Sequence, residues 1–470
     1  MKRAKRIYIL LGVLAVVCIA AFAVMHYQEQ QELIQNTDEI ILEVDSSAVQ
    51  SLSWTYDGES LAFHKDGAWL YDGDEAFPVD EEKINNLLEP FQAFGAAFII
   101  HDVTDFAQYG LDDPTCTIDL ATEDASYEIQ LGDYSTMDAQ RYVSIGDGNV
   151  YLVQEDPLDT FDVELSDLIA NDETPDFDQV TSIQFTGADS YQVIYQEDSG
   201  YSCCADDVYF KEQDGTYLPL DTALVTSYLS GITSLSPTDY VTYNAGEEDL
   251  ATYGLDDPEL TVAVTYTPEA EEDGEEAAEP VVFTISVSRD PDQRSAAEDA
   301  QSTEEEDDAD ITAYARISES KIIYQITGAQ YKELMAASYD DLRHQEVFYA
   351  DFADVTGLDI ILEDAAYTIT SQGTGDSRTF SYDGEEIEID DLQDALEALT
   401  ASSFTGEAPT EKEEISLTVH LDSEDYPEIR IQLYRYDGEQ CLAVVDGEPV
   451  SLVSRSSVVD LIEAVNAIVL

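Results

Sequence analysis

The chain has 470 residues, 44% of them hydrophobic and 10% aromatic, which is ample core material for several globular domains. It carries 102 Asp and Glu against 19 Lys and Arg, a formal net charge of −83. A body this acidic repels phosphate backbones and anionic lipid, which excludes nucleic-acid binding.

The N-terminus carries Lys2, Arg3, Lys5 and Arg6 and no acid. Residues 7–27, IYILLGVLAVVCIAAFAVMHY, then run apolar with no charge before His26, long enough to cross a bilayer as a helix. The bases place 1–6 in the cytoplasm and the bulk of the chain outside the cell membrane, as a single-pass protein. Ala21-Phe22-Ala23 also fits a signal-peptidase site, so cleavage is the alternative; either way the body is exported. A stem, 28–46, follows.

An internal repeat organises the remainder. Asp105-Phe-Ala-Gln-Tyr-Gly-Leu-Asp-Asp-Pro114 recurs as Asp249-Leu-Ala-Thr-Tyr-Gly-Leu-Asp-Asp-Pro258, eight of ten positions matching at a spacing of 144. Val49-Gln-Ser-Leu52, Val180-Thr-Ser-Ile183 and Val355-Thr-Gly-Leu358 echo one another, and so do the late hairpins at 141–153, 313–326 and 441–453. These define unit 1 (47–170), unit 2 (178–346) and a more diverged unit 3 (353–470) without a corner of this kind. The predicted fold is α+β: an N-terminal transmembrane helix followed by three tandem antiparallel-sheet-plus-helix units.

Each unit opens on a β-hairpin, as at 51–56 and 61–71 with Asp57-Gly58 at the turn. A helix follows. Asp80 caps the first, with Ile84, Leu87, Leu88 and Phe91 on one face and Pro90 ending or kinking it. Asp221 caps the second, and Leu392, Leu396 and Leu399 mark the third. A capping box at Ser457 and Asp460 opens a last helix. Two acidic stretches lengthen unit 2. Residues 268–280 hold seven acids and 289–310 hold ten, and both read as mobile loops.

The corner has a direct physical reading. A helical turn through Tyr109 ends at Gly110 with positive φ. Leu111 returns to the core, Asp112 and Asp113 satisfy turn amides, and Pro114 launches a strand. Tyr253, Gly254, Leu255, Asp256, Asp257 and Pro258 repeat this. The other reading makes each Asp pair a binding site.

With its N-terminal anchor, its YGLDDP corner and the pattern Leu131-Gly132, Tyr142-Val143, Val150-Tyr151, the chain resembles the bacterial DUF4340 proteins. Some members are encoded beside ABC-transporter subunits of the gliding-motility type. The resemblance therefore implies a place beside membrane transporter subunits, and it offers no catalytic residues.

No catalytic or cofactor motif stands out. The five His lack metal spacing; G-x-S-x-G, Walker A and complete dinucleotide loops are missing. Cys203-Cys204 reads as two free thiols. Asp72-Gly-Asp74 and Asp290-Pro-Asp292 offer oxygen ligands for calcium, but acids fill about a fifth of the chain and no EF-hand pattern occurs. The expected function is a non-enzymatic extracytoplasmic binding or scaffold protein without cofactor. A glycan hydrolase with paired carboxylates, with Trp54 and Trp69 stacking on sugar, is the alternative, as is a calcium- or salt-dependent surface module.

Overall fold

A computed structural model describes residues 39–153, 155–197, 200–269, 279–299 and 308–470. The expected membrane helix, 7–27, lies outside these. No helix among the described residues is long and apolar enough to cross a membrane. The chain divides into two compact units, residues 1–171 and 172–470.

The described chain is mostly antiparallel β-sheet with a few helices, in the α+β class. Three large sheets share one plan. In the first, the strand order across the sheet is Ala68–Tyr71, Glu59–Asp66, Val49–Tyr56, Cys116–Thr122, Ser126–Ser135, Gln140–Ser144, Val150–Val153, Phe98–Ile100. The opening strand thus sits in the middle. Its hairpin partners extend to one side, and the strand after the corner begins a second meander on the other. Sheets of nine strands built around Gln179–Gly187 and Val355–Leu362 repeat this order with one more strand on the first arm.

The three middle strands carry the same defect. Register slips between Val49 and Ser51, between Val180 and Ser182, and between Val355 and Gly357, each against the strand that starts the second meander. A bulge there bends the strand and sharpens the sheet's twist. The echo Val-x-Ser/Gly in the sequence is the signature of this bulge. Three residues after each Val, Leu52, Ile183 and Leu358 point into their cores and are fully buried. Each such side chain contributes about 1.5–3 kcal/mol of transfer free energy.

Helices cover one face of each sheet. Glu81–Leu88 does so in the first, capped by Asp80, whose Oδ1 accepts from the Glu82 and Lys83 amides at 2.9 and 3.2 Å. Pro90 ends it: the chain tightens to a 3-10 turn over Glu89–Ala93. Thr222–Thr233 packs with Gly328–Met335 on the second sheet, and Asp390–Glu397 with Arg455–Val469 on the third.

Several expectations need correction. The last helix opens at Arg455 with Ser454 as cap, so Ser457 lies inside it. Ser454 leaves the preceding strand with its Oγ already on the Ser456 amide, which starts the helix earlier than a Ser457–Asp460 box. The stem joins the first unit from residue 39, because Glu39–Leu42 pairs with Phe94–Ala96 and Leu42 packs on the first core. Acidic stretch 289–310 is not all loop. Pro291–Asp299 forms a helix, with the Arg294 amide on the Asp290 carbonyl. Arg294 also donates to the Asp257 carbonyl at 2.9 Å, which anchors the helix to the second corner.

Candidate metal centre

The corners form as backbone devices. Ala107–Tyr109 is one 3-10 turn, and Gly110 follows at φ +67°. A Cβ there would stand 2.6–2.9 Å from Asp133, so the left-handed turn and the close approach both require glycine. Gly254 repeats the conformation at φ +70°, after a helix over Glu247–Thr252. Leu111 and Leu255 are buried, and the rings of Tyr109 and Tyr253 meet Tyr142 and Tyr314 at 4.9 and 4.7 Å. Pro114 and Pro258 are half-buried at the entrance to the next strand.

The Asp pairs do not do what the sequence reading assigned to them. Carbonyls take the corner amides instead: Gly110 N–H donates to Ala107 and Leu111 N–H to Phe106, as Gly254 does to Ala251 and Leu255 to Leu250. Asp112, Asp113, Asp256 and Asp257 are exposed. Trp54 and Trp69 are also not platforms for sugar. Both are 3% exposed in the first core, with Trp54 stacked on Phe63 and edge-on to Phe161.

A different cluster gathers titratable groups, inside the second compact unit. The chain between the second and third sheets brings His344, Glu346 and Tyr349. The segment between strands Tyr191–Tyr195 and Tyr209–Gln213 brings Ser202, Cys203 and Asp207. The start of helix Thr222–Thr233 brings Asp221.

His344 lies at the centre, its side chain 11% exposed. Its Nε2 is 3.0 and 2.9 Å from the two oxygens of Asp207, whose side chain is 2% exposed. Ser202 Oγ donates to Asp207 Oδ2 at 2.5 Å and Thr222 Oγ1 accepts from the next amide, Val208, which fixes this carboxylate in place. On the other side of the ring, Nδ1 is 3.7 Å from Asp221 Oδ2. Asp221 Oδ1 is occupied by the helix cap, accepting from Ala223 and Leu224. The Tyr349 ring lies parallel to the imidazole, 6° apart in plane and 4.0 Å between centroids.

Glu346 completes the group. An isolated bridge holds it against Thr400, flanked by Val347 N–H to Leu399 O and Ala401 N–H to Gln345 O. His344 and Glu346 are two apart in extended chain, so their side chains share a side. One donor atom each from Asp221, His344 and Glu346 lies within 4.8 Å of the others.

The buried setting of Cys203 disfavours its thiolate. Burial pushes its thiol up to about 12, and it shares a hydrogen bond with Tyr349, whose phenol burial also drives upward. Burial raises Cys204 as well, and both are free thiols. Thiolate chemistry near neutral pH therefore has no support here.

Sequence reasoning missed this cluster because its members are far apart. Asp207 and His344 are separated by 137 positions. The one local trace is His344-Gln-Glu346, a spacing that is useful only in extended chain.

The fold and the cluster define a class: an α+β protein of serial antiparallel sheets, with buried polar groups where the second and third sheets meet. The family model described as domain of unknown function (DUF4340) matches residues 69–202 and 213–418. That is more than half of the chain, and the chain belongs to the DUF4340 family. No curated protein shows a significant match to it.

Proposed function

We propose that this chain is a membrane-tethered extracytoplasmic binding or scaffold protein, acting beside a membrane transport complex. The carrying observation is the serial plan: one sheet design used three times, behind a basic N-terminus and the apolar stretch 7–27. A span at 7–27 with Lys2, Arg3, Lys5 and Arg6 on its inner side holds the body outside. The surplus of acids keeps that body off anionic headgroups and leaves its surface to protein partners. The test is affinity purification of the full-length protein from detergent-solubilised native membranes, with mass spectrometry of what co-purifies. Reproducible recovery of transporter subunits is the expected result. Recovery of the protein alone, under conditions that keep known complexes intact, would overturn the reading.

A further inference from the structure

We infer that Asp221, His344 and Glu346 bind a divalent transition-metal ion of the zinc type, with Asp207 as a positioning residue behind His344. The inference is independent of the scaffold reading.

Geometry supplies the first argument. Three donor atoms from two chain segments converge within 4.8 Å of one another, close enough for one ion to gather them. Asp221 has an oxygen to spare, because its helix cap uses Oδ1 and Oδ2 faces the ring.

Asp207 supplies the second, independent argument. A buried carboxylate against Nε2 holds the neutral imidazole's proton on that nitrogen. The lone pair is then on Nδ1, on the side of Asp221. Carboxylate–imidazole–metal arrangements work this way: the outer carboxylate fixes the tautomer and raises the basicity of the ligating nitrogen.

Charge supplies the third. Three carboxylates, Asp207, Asp221 and Glu346, surround one imidazole. The neighbouring cation, Arg343, faces elsewhere: it pairs with Asp340 at 3.6 Å and lies over the rings of Tyr339 and Phe404. A divalent ion would neutralise two of these negative charges.

The donor set selects the ion class. One imidazole nitrogen and two carboxylates suit zinc and its first-row neighbours, whereas calcium takes six to eight oxygens. Glu346 is exposed, so the ion has a path in and room for water as a further ligand. An ion here would join the helix on the second sheet to the chain entering the third, and so tie the two sheets together.

The probe is zinc, titrated calorimetrically into the metal-stripped full-length protein in detergent. Millimolar calcium is kept present to occupy the many surface acids. One tight zinc per chain is expected, with a rise in melting temperature. Glu346→Gln, at an exposed position, is expected to keep the apo melting temperature and to weaken zinc at least about 10-fold. Asp207→Asn is expected to weaken zinc about 10–100-fold. It should also shift the visible bands of bound cobalt(II), a signature that lost packing alone would leave in place. His344→Ala removes the site but also a nearly buried ring, so Glu346→Gln is the deciding variant. Zinc heat abolished by calcium, or an affinity unchanged in Glu346→Gln, would overturn the proposal and leave Asp207–His344 as a hydrogen-bonded pair.

Discussion

At the scale of single residues, one position shows how the repeat was varied. Arg141, Ala313 and Cys441 occupy equivalent places, each paired across the last hairpin with Val153, Ile326 and Val453. All three are buried. The second and third sheets fill the place with a small side chain; the first puts a guanidinium there. Its Nε meets Asp156 Oδ1 at 2.6 Å and an NH1 proton goes to the Gly132 carbonyl at 2.6 Å. Both partners are about nine-tenths buried. An ion pair so placed gains little over an apolar pair, but breaking it strands a charge out of water. Asp156→Asn preserves the shape and still offers an oxygen to the Leu158 amide, while removing the counter-charge. It is expected to destabilise the first sheet by about 3–5 kcal/mol. The chain's two tryptophans, Trp54 and Trp69, are both in that core, so their fluorescence reports its unfolding in urea selectively. A urea midpoint equal to the wild type's would refute the expectation.

At the scale of elements, legibility in the sequence followed locality. Helices with a cap and a 3.6-residue apolar stripe were readable, because Asp80 and Asp221 cap as their positions require. The middle strands were legible as the repeated Val-x-Ser/Gly echo that their bulges leave. Edge strands Phe98–Ile100, Tyr240–Thr242 and Ala401–Phe404 were not, since three or four residues carry no period. Helix Pro291–Asp299 was hidden by its acidic composition, and its hold on the Asp257 carbonyl is a tertiary contact that no window contains. The metal-type cluster failed for the same reason: beyond His344-Gln-Glu346, its parts are far apart in the chain. Pairs across adjacent strands are an intermediate case, and one of them makes the third sheet sensitive to acid. Asp359 on strand Val355–Leu362 accepts from His420 Nε2 at 2.9 Å and from Thr368 Oγ1 at 2.7 Å. The His420 hydrogen bond, then that of Thr368, hold its carboxyl below the ordinary value of 3.8, against a smaller opposing effect of burial. A carboxyl depressed in the folded state stabilises fully above its unfolded value and loses that contribution as pH falls through the folded one. The protection of the Val355–Leu362 amides, measured against their intrinsic exchange rates, is therefore expected to fall more in the wild type than in Asp359→Asn on going from about pH 5 to about pH 2. A gap between the two proteins that stays constant over that range would remove Asp359 as the cause.

At the scale of the whole molecule, charge is the property that most separates this chain from an ordinary globular one. With 102 acids and 19 bases, the few cations are used sparingly. Arg435 and Arg455 share Glu414 at 3.5 and 3.7 Å, and Arg378 reaches Asp422 at 3.4 Å. Most carboxylates on the described surface have no cation to meet, so their mutual repulsion opposes the compact state more than the expanded one. Screening relieves it: the Debye length falls from about 30 Å at 0.01 M salt to about 10 Å at 0.1 M and about 3 Å at 1 M. The urea midpoint of the tryptophan-reported transition should accordingly rise with sodium chloride, steeply up to about 0.1–0.2 M and more slowly beyond. Urea is the right denaturant because guanidinium is itself a salt and would mask the effect. Magnesium chloride should act at lower ionic strength than sodium chloride, because divalent ions accumulate more strongly at a polyanion. Sucrose separates screening from general surface exclusion, since it raises stability without screening charge. A midpoint that falls with salt would mean that the paired charges outweigh the unpaired ones. The exterior would then hold the fold by attraction, and the acids could no longer be read as a surface stabilised by the salt around it.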